Sequence, residues 1–284
     1  MSRLAGLALL LLVPCLAAAQ PLEARLKKIK DSGTIAIAYR TDALPFSFED
    51  ERKQPAGYTI DLCRRVAGAI EKELGLPGVQ IKWVPVTVQN RLDTVARGQA
   101  DMECGATTVT LSRMKQVDFS SFTFVDGTGL LIPAASKAQG LGDLAGRKIG
   151  VISGTSNERA LNEALKRRVV NATVVPLPSR DEGLVQLEAG AIDAFASDKV
   201  LLVGLAAKAK DPKRFTLLVE DLSFEPYAIA LPRGDTDFRL AVNTALAQIY
   251  RSPAIGEIFG RWFGMLGKPG AALELAFVFG ALPE

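Results

Sequence analysis

The chain has 284 residues, 48% of them hydrophobic and 23% charged, with a formal net charge of +3. That is enough apolar sequence for two cores and too little basic excess to argue for a nucleic-acid partner. Histidine is absent, so Ser-His-Asp and Cys-His nucleophile systems and His-ligated zinc are excluded.

Residues 1–19 read as a secretory signal peptide. Met1-Ser2-Arg3 is a basic start, Leu4 to Leu16 is an apolar run, and Ala17-Ala18-Ala19 precedes a cut at Gln20. The run falls short of the ~20 residues that a membrane span needs, and Pro14 argues against a lipoprotein site at Cys15. The mature chain is expected to be exported and soluble, and one unit less positive once Arg3 leaves.

Strand-like and helix-like segments alternate through the rest, the mark of an α/β protein. "TIAIAY" (Thr34–Tyr39) predicts a strand. Asp61–Leu74 predicts a helix with Leu62, Val66, Ile70 and Leu74 on one face and Gly75 as its stop. "VQIKWV" predicts the next strand, and Arg91–Ala96 a helix ended by Gly98. A strand around Met102 leads into "ECGATTVTLSRMKQVDFS" (Glu103–Ser120), read as a short helix carrying Arg113 that runs into another strand. After "VDGTGLLIP" the pattern restarts with "RKIGVI" as strand, "SGTS" as tight loop and Glu158–Arg167 as helix. "ATVVPL" predicts a strand, Asp181–Ala189 a helix ended by Gly190, and "IDAFA" a strand before an apolar helix with Leu201 and Leu205. "YAIAL" (Tyr227–Leu231) predicts the last strand; Asp235–Tyr250 and Pro253–Phe263 predict two closing helices.

"LDTVARGQADMECGA" and "LVQLEAGAIDAFASD" share one pattern: amphipathic helix, Gly, two residues, Asp, and a buried strand ending in small polar residues. One supersecondary unit is thus expected in each of two lobes. Lobe 1 would comprise residues 20–126 and 225–284, and lobe 2 residues 127–224. Two crossings, near Thr123–Gly129 and Leu222–Glu225, would form a hinge of the kind that closes lobes around a ligand. Open α/β sheets bind ligands beyond the carboxyl ends of their strands, which places Gly105–Thr108 and Ser197–Asp198 at the rims of a common cleft.

The candidate residues each have two readings. Thr107, Thr108 and Thr110, at the start of the helix with Arg113, suit either an ordinary cap or an anion cradle completed by a bidentate guanidinium. Asp198 suits a helix N-cap or an ammonium receptor. Arg40 and Arg91 end or begin elements where Arg is usually solvated. Phe46 and Phe48 suit the core more than a ligand platform, and Ser153-Gly154-Thr155 suits a Gly turn or a polar contact. Taken together, three Arg (Arg40, Arg91, Arg113) and one Asp (Asp198) would make a net positive cleft, fit for an amino acid with a second carboxylate. Cys63 lies inside a helical pattern, and it and Cys104 are expected to be unpaired.

Over essentially its full mature length the chain resembles the periplasmic solute-binding proteins of ABC amino-acid transporters (family 3). The segments that carry this are "GTIAIAYRTDALPFSFED", "GYTIDLCRRV", "VPVTVQNRLDTVARGQADMECGATTVTLSRMKQVDFS", "GLGDLAGRKIGVISGTS" and "QLEAGAIDAFASD". The T-x-x-x-x-R-x-x-x-V-D-F-S signature spans Thr108 to Ser120, and "QNR" followed by "ECGATT" points to the glutamate/aspartate-binding branch. The resemblance implies a two-lobed, type II binding-protein fold with a two-stranded hinge. It also implies a periplasmic location, a membrane permease of an ABC transporter as partner, and no cofactor or metal; a monomer is the default. It implies that Arg113 and the backbone around Ala106–Thr108 hold an α-carboxylate, Asp198 the α-ammonium, and Arg40 and Arg91 a side-chain carboxylate, with Thr155 adding a contact from lobe 2. Val88, Ala106 and Ile152 stand where comparable acidic-amino-acid binders have hydroxyl residues, and Arg180 where His is frequent. The relatives' partner for Cys104 falls near Ile229, which implies that their disulfide is absent. The alternative on the same fold is a periplasmic dehydratase of cyclohexadienyl acids; Glu103 is the nearest acid, expected to face away from the ligand.

Overall fold

The computed structural model describes residues 24–283, so the signal-peptide reading lies outside the described residues. In chain order the elements of the first part are α1 (Ala24–Ser32), β1 (Thr34–Arg40), β2 (Asp42–Ala43), β3 (Ser47–Glu49), β4 (Pro55–Ala56), α2 (Tyr58–Glu73), β5 (Gln80–Val86), α3 (Arg91–Ala96), β6 (Met102–Cys104) and β7 (Asp118–Asp126). There follow β8 (Thr128–Pro133), β9 (Lys148–Ile152), α4 (Ser156–Arg168), β10 (Thr173–Leu177), α5 (Arg180–Glu188), β11 (Ala194–Asp198), α6 (Lys199–Ala206) and β12 (Phe215–Leu217). The chain ends with β13 (Glu225–Leu231), α7 (Thr236–Tyr250), α8 (Ala254–Phe263) and α9 (Ala271–Gly280).

Two five-stranded sheets carry the two lobes, ordered β5-β1-β6-β13-β7 and β10-β9-β11-β8-β12. Neighbour by neighbour the two are alike: parallel, parallel, antiparallel, antiparallel. β1 lies inside its sheet and is buried along nearly its whole length, as a continuous apolar strand flanked by helices should be. The chain passes between the sheets at Gly127 and again between β12 and β13.

An aromatic knot fixes the lobe 1 side of the crossings. Phe46 packs edge-on against Phe124 of β7 at 4.8 Å and Tyr227 of β13 at 5.2 Å, with Tyr58 and Phe263 completing the cluster. Such pairs add about 0.5–1.5 kcal/mol each beyond area burial. Phe46 is fully buried and Phe48 packs on Trp262, so both belong to packing, as the sequence suggested.

Cys63 and Cys104, expected to be unpaired, form a disulfide with S–S 2.04 Å and Cα–Cα 6.5 Å. The reason is tertiary: α2 packs over the sheet so that its buried face, which includes Cys63, meets the end of β6. No spacing rule along the chain reports that distance. The bond ties α2 to the strand that feeds Gly105–Thr108.

Candidate ligand cleft

Arg40 ends β1, Glu103 and Cys104 end β6, and Asp198 ends β11, so the carboxyl ends of central strands from both lobes meet at one place. Arg91, at the start of α3, is almost wholly buried. Its Nε donates to Thr107 Oγ1 at 2.9 Å and its Nη1 to the Val88 carbonyl at 2.5 Å. Burial, and then the neighbouring Arg113, push its pKa down to about 9.

Arg113 does not stand on an α-helix. Arg113–Lys115 is a single 3-10 turn, and β7 begins at Asp118, leaving room for no more. The helix start expected there, read as either a cap or an anion cradle, is therefore a single turn. Thr110 Oγ1 accepts from the Arg113 N–H at 3.2 Å, and Arg113 Nη1 donates to the Thr108 carbonyl at 2.7 Å. Thr108 is a junction: its hydroxyl donates to Glu225 Oε2 at 2.6 Å and accepts from Ser156 Oγ of the other lobe at 3.2 Å. Ala106 is half-buried against the lobe 1 core.

Asp198 occupies the N-cap position of α6 yet makes no capping hydrogen bond. Asp126 performs that task, its Oδ2 accepting from the Val200 N–H at 3.0 Å. Asp198 is thereby released; it is buried, and its Oδ1 has no partner. Tyr227 and Asn157 lie beside it, and both bear on its carboxyl. Burial, then Glu225, push the Asp198 carboxyl up, with Arg180 opposing. Thr155 uses its hydroxyl within lobe 2, donating to the Ile152 carbonyl at 2.7 Å and capping α4 at the Glu158 N–H, 3.1 Å. It stands next to Ser156, which reaches Thr108.

Glu103, expected to face away, does not. Period-two alternation puts Met102 and Cys104 in the lobe 1 core and Glu103 on the opposite face, within the field of Arg91, Arg40 and Arg113. It is fully buried, and the Thr107 side chain and the guanidiniums act on its carboxyl. Burial outweighs the guanidiniums and its pKa is raised. Gly105 makes room for it, since a Cβ there would lie 2.2 Å from Glu103 Oε1.

Arg180, the first residue of α5, adds a fourth guanidinium from lobe 2. It is 4% exposed, and its Nη1 lies 3.5 Å from Asp42 Oδ2 of lobe 1. Asp42 Oδ1 also accepts from Arg40 Nη2. Arg40 Nε and Arg180 Nε and Nη1 remain buried without hydrogen-bond partners. The sequence showed Arg180 only as a departure and gave no sign of Asp42, because their meeting crosses the lobes. The lobes also touch where Val88 packs on the Leu177 and Ile152 cluster and where α6 crosses Leu44. A Cβ at Gly204 would lie 2.5 Å from the Leu44 carbonyl oxygen. Between them a cavity of about 310 Å³ remains, bordered by Arg91, Arg113 and Gln116 on one side and Ser153–Gly154 on the other.

The description "Bacterial extracellular solute-binding proteins, family 3" fits residues 21–265 of the chain. An L-glutamate/L-aspartate-binding protein of Pseudomonas aeruginosa is 36% identical over 246 residues, 86% of this chain and 82% of that protein. A glutamate/aspartate import solute-binding protein of Escherichia coli is 32% identical over 238 residues, 84% and 79% of the two chains. Among solved structures, an ancestral amino acid-binding protein described as a precursor of cyclohexadienyl dehydratase superposes with a TM-score of 0.71 at 26% identity. It covers 84% of this chain and 98% of its own.

Proposed function

The chain belongs to family 3 of the bacterial extracellular solute-binding proteins, and we propose that it captures an acidic amino acid, glutamate or aspartate, and delivers it to the permease of an ABC transporter. The observation that carries this reading is the division of charge in one closed cleft. Arg40, Arg91, Arg113 and Arg180 converge on one side, and Asp198 waits on the other with an unpartnered oxygen. Arg113, with the backbone around Ala106–Thr108, receives the α-carboxylate, and Asp198 receives the α-ammonium. Arg40, Arg91 and Arg180 receive the distal carboxylate. Thr155 contributes by holding the start of α4 against Thr108. The names of the relatives support the ligand class.

In this reading lobe 1 is residues 20–126 and 225–284, lobe 2 is residues 127–224, and no chemical step occurs. The protein acts as a periplasmic monomer after loss of residues 1–19. Thermal denaturation with glutamate, aspartate, glutamine and simple dicarboxylates tests it, since ligand at ~100 times its Kd adds about 2.7 kcal/mol. Absence of any shift with both acidic amino acids at millimolar concentration would sink the reading. For Arg113→Ala, loss of binding with folding retained is expected in the same assay; near-normal affinity would remove Arg113 from the site.

A dehydratase reading draws on the likeness to the dehydratase precursor and on the buried acid Glu103. Turnover of prephenate or arogenate would move the conclusion there.

A further inference from the structure

One carboxylate in the cleft belongs to neither side of the ligand. Asp42 follows β1 by two residues and stands between Arg40 of its own lobe and Arg180 of the other, in ion-pair contact with both. The two guanidiniums are 3% and 4% exposed, and each bears on the other as a like charge. Burial disfavours the Asp42 charge, but Arg40 and Arg180 outweigh it and hold its pKa below the ordinary carboxylate range. Asp42 therefore stays ionised and screens a repulsion that would otherwise act directly across the closing lobes.

That role fixes a charge count. The distal part of the cleft holds three guanidiniums, Arg40, Arg91 and Arg180, against Asp42 and Glu103. Burial raises the Glu103 pKa, so the excess is one positive charge or more, and Asp42 lowers it by one unit. The Nε–H groups of Arg40 and Arg180, which have no hydrogen-bond partner, are donors still free to receive a distal carboxylate. Without Asp42 the excess grows by one unit whatever the state of Glu103, and a monoanion leaves a buried positive charge unpaired as the lobes close.

Resting on the acidic amino-acid reading above, we propose that Asp42 is a specificity-determining residue, lowering by one unit the negative charge that the cleft asks of the ligand's distal group. A distal phosphate, carrying ≈ −1.5 to −2 near pH 7, gains on a distal carboxylate once Asp42 is removed.

Calorimetric titration of the full mature chain with glutamate, aspartate and O-phosphoserine tests this, on the wild type, Asp42→Asn and the double variant Asp42→Asn/Arg180→Gln. In Asp42→Asn, affinity for the carboxylates is expected to fall and the preference for carboxylate over phosphate to shift by about tenfold or more towards phosphate. Removing Arg180 as well restores the original count, so the double variant is expected to lose the shift in preference, while its carboxylate affinity stays lowered by the missing Arg180 contact. Recovery of the preference also separates a charge effect from a folding defect in the single variant. An unchanged carboxylate-to-phosphate ratio in Asp42→Asn, or no recovery of that ratio in the double variant, overturns the inference. A wild type that binds neither glutamate nor aspartate overturns the acidic amino-acid reading and this inference with it. A wild type that binds them with Asp42→Asn unaltered overturns this inference alone.

Discussion

The two copies of the helix–Gly–Asp–strand unit make the same local bonds and then diverge. In lobe 1, Asp101 exchanges two bonds with Ala36 of the neighbouring strand, its N–H donating to the carbonyl and its Oδ2 accepting from the N–H, both at 2.7 Å. In lobe 2, Asp193 makes the same exchange with Lys148 at 2.8 Å each way. Gly98 and Gly190 end the preceding helices with φ of 71° and 69°, a conformation that costs glycine least. The difference lies in what else holds each unit. Asp101 is fully buried and also meets Arg25 at 2.7 Å and Lys28 at 2.8 Å, and its strand ends in the Cys63–Cys104 disulfide. Asp193 is 38% exposed on its side chain and, among the described residues, its ion pair is with Arg147 at 3.5 Å. Lobe 1 thus holds its unit with more bonds, and lobe 2, which carries Asp198 and Arg180, holds its own with fewer.

The largest test of this asymmetry is a matched pair of substitutions. Asp101→Ala leaves Arg25 and the Ala36 N–H without their partner and is expected to cost roughly 3–5 kcal/mol, whereas Asp193→Ala should cost about 1 kcal/mol. Urea denaturation measures both, and equal losses would erase the distinction. Next, replacing Cys63 and Cys104 together by Ala is expected to remove about 2–4 kcal/mol and to weaken ligand binding through the Gly105–Thr108 segment. Stability lost with affinity intact would show that the disulfide does not reach the site.

A further test concerns pH. Burial, then the adjacent Asp198, push the Asp126 carboxyl up to about 7. Because the folded form holds the proton more tightly than the unfolded form, this stability is complete below the ordinary carboxylate range near 4. It is lost as pH rises towards about 7. Asp126→Asn is expected to flatten that part of the pH–stability curve; an unaltered slope would assign the titration to another group.

Much of this was legible along the chain. The Arg91–Ala96 helix and the repeat followed from apolar spacing and stop glycines, which are local. Asp198 could be placed because strand ends of open α/β sheets carry ligand sites, whereas Arg40, Arg91 and Arg113 were gathered with it by the charge count and by the resemblance to the family. What stayed hidden depends on distance across elements: the Cys63–Cys104 approach, the Asp42–Arg180 contact between lobes, and the transfer of the α6 cap from Asp198 to Asp126. Glu103 was closer to hand, since an acid between Met102 and Cys104 in a buried strand must face somewhere enclosed. The short helix at Arg113 failed because Val117 and Asp118 already start the next strand.

The contact at Gly204 gives closure a mechanical gauge. Its Cα rides so near the Leu44 carbonyl that the space between the halves is thinner than one methyl group. A single carbon added there would act as a shim, holding the jaws ajar while every charged residue in the cleft stayed intact. The fit between the halves is thus set in part at a position with no polar side chain at all.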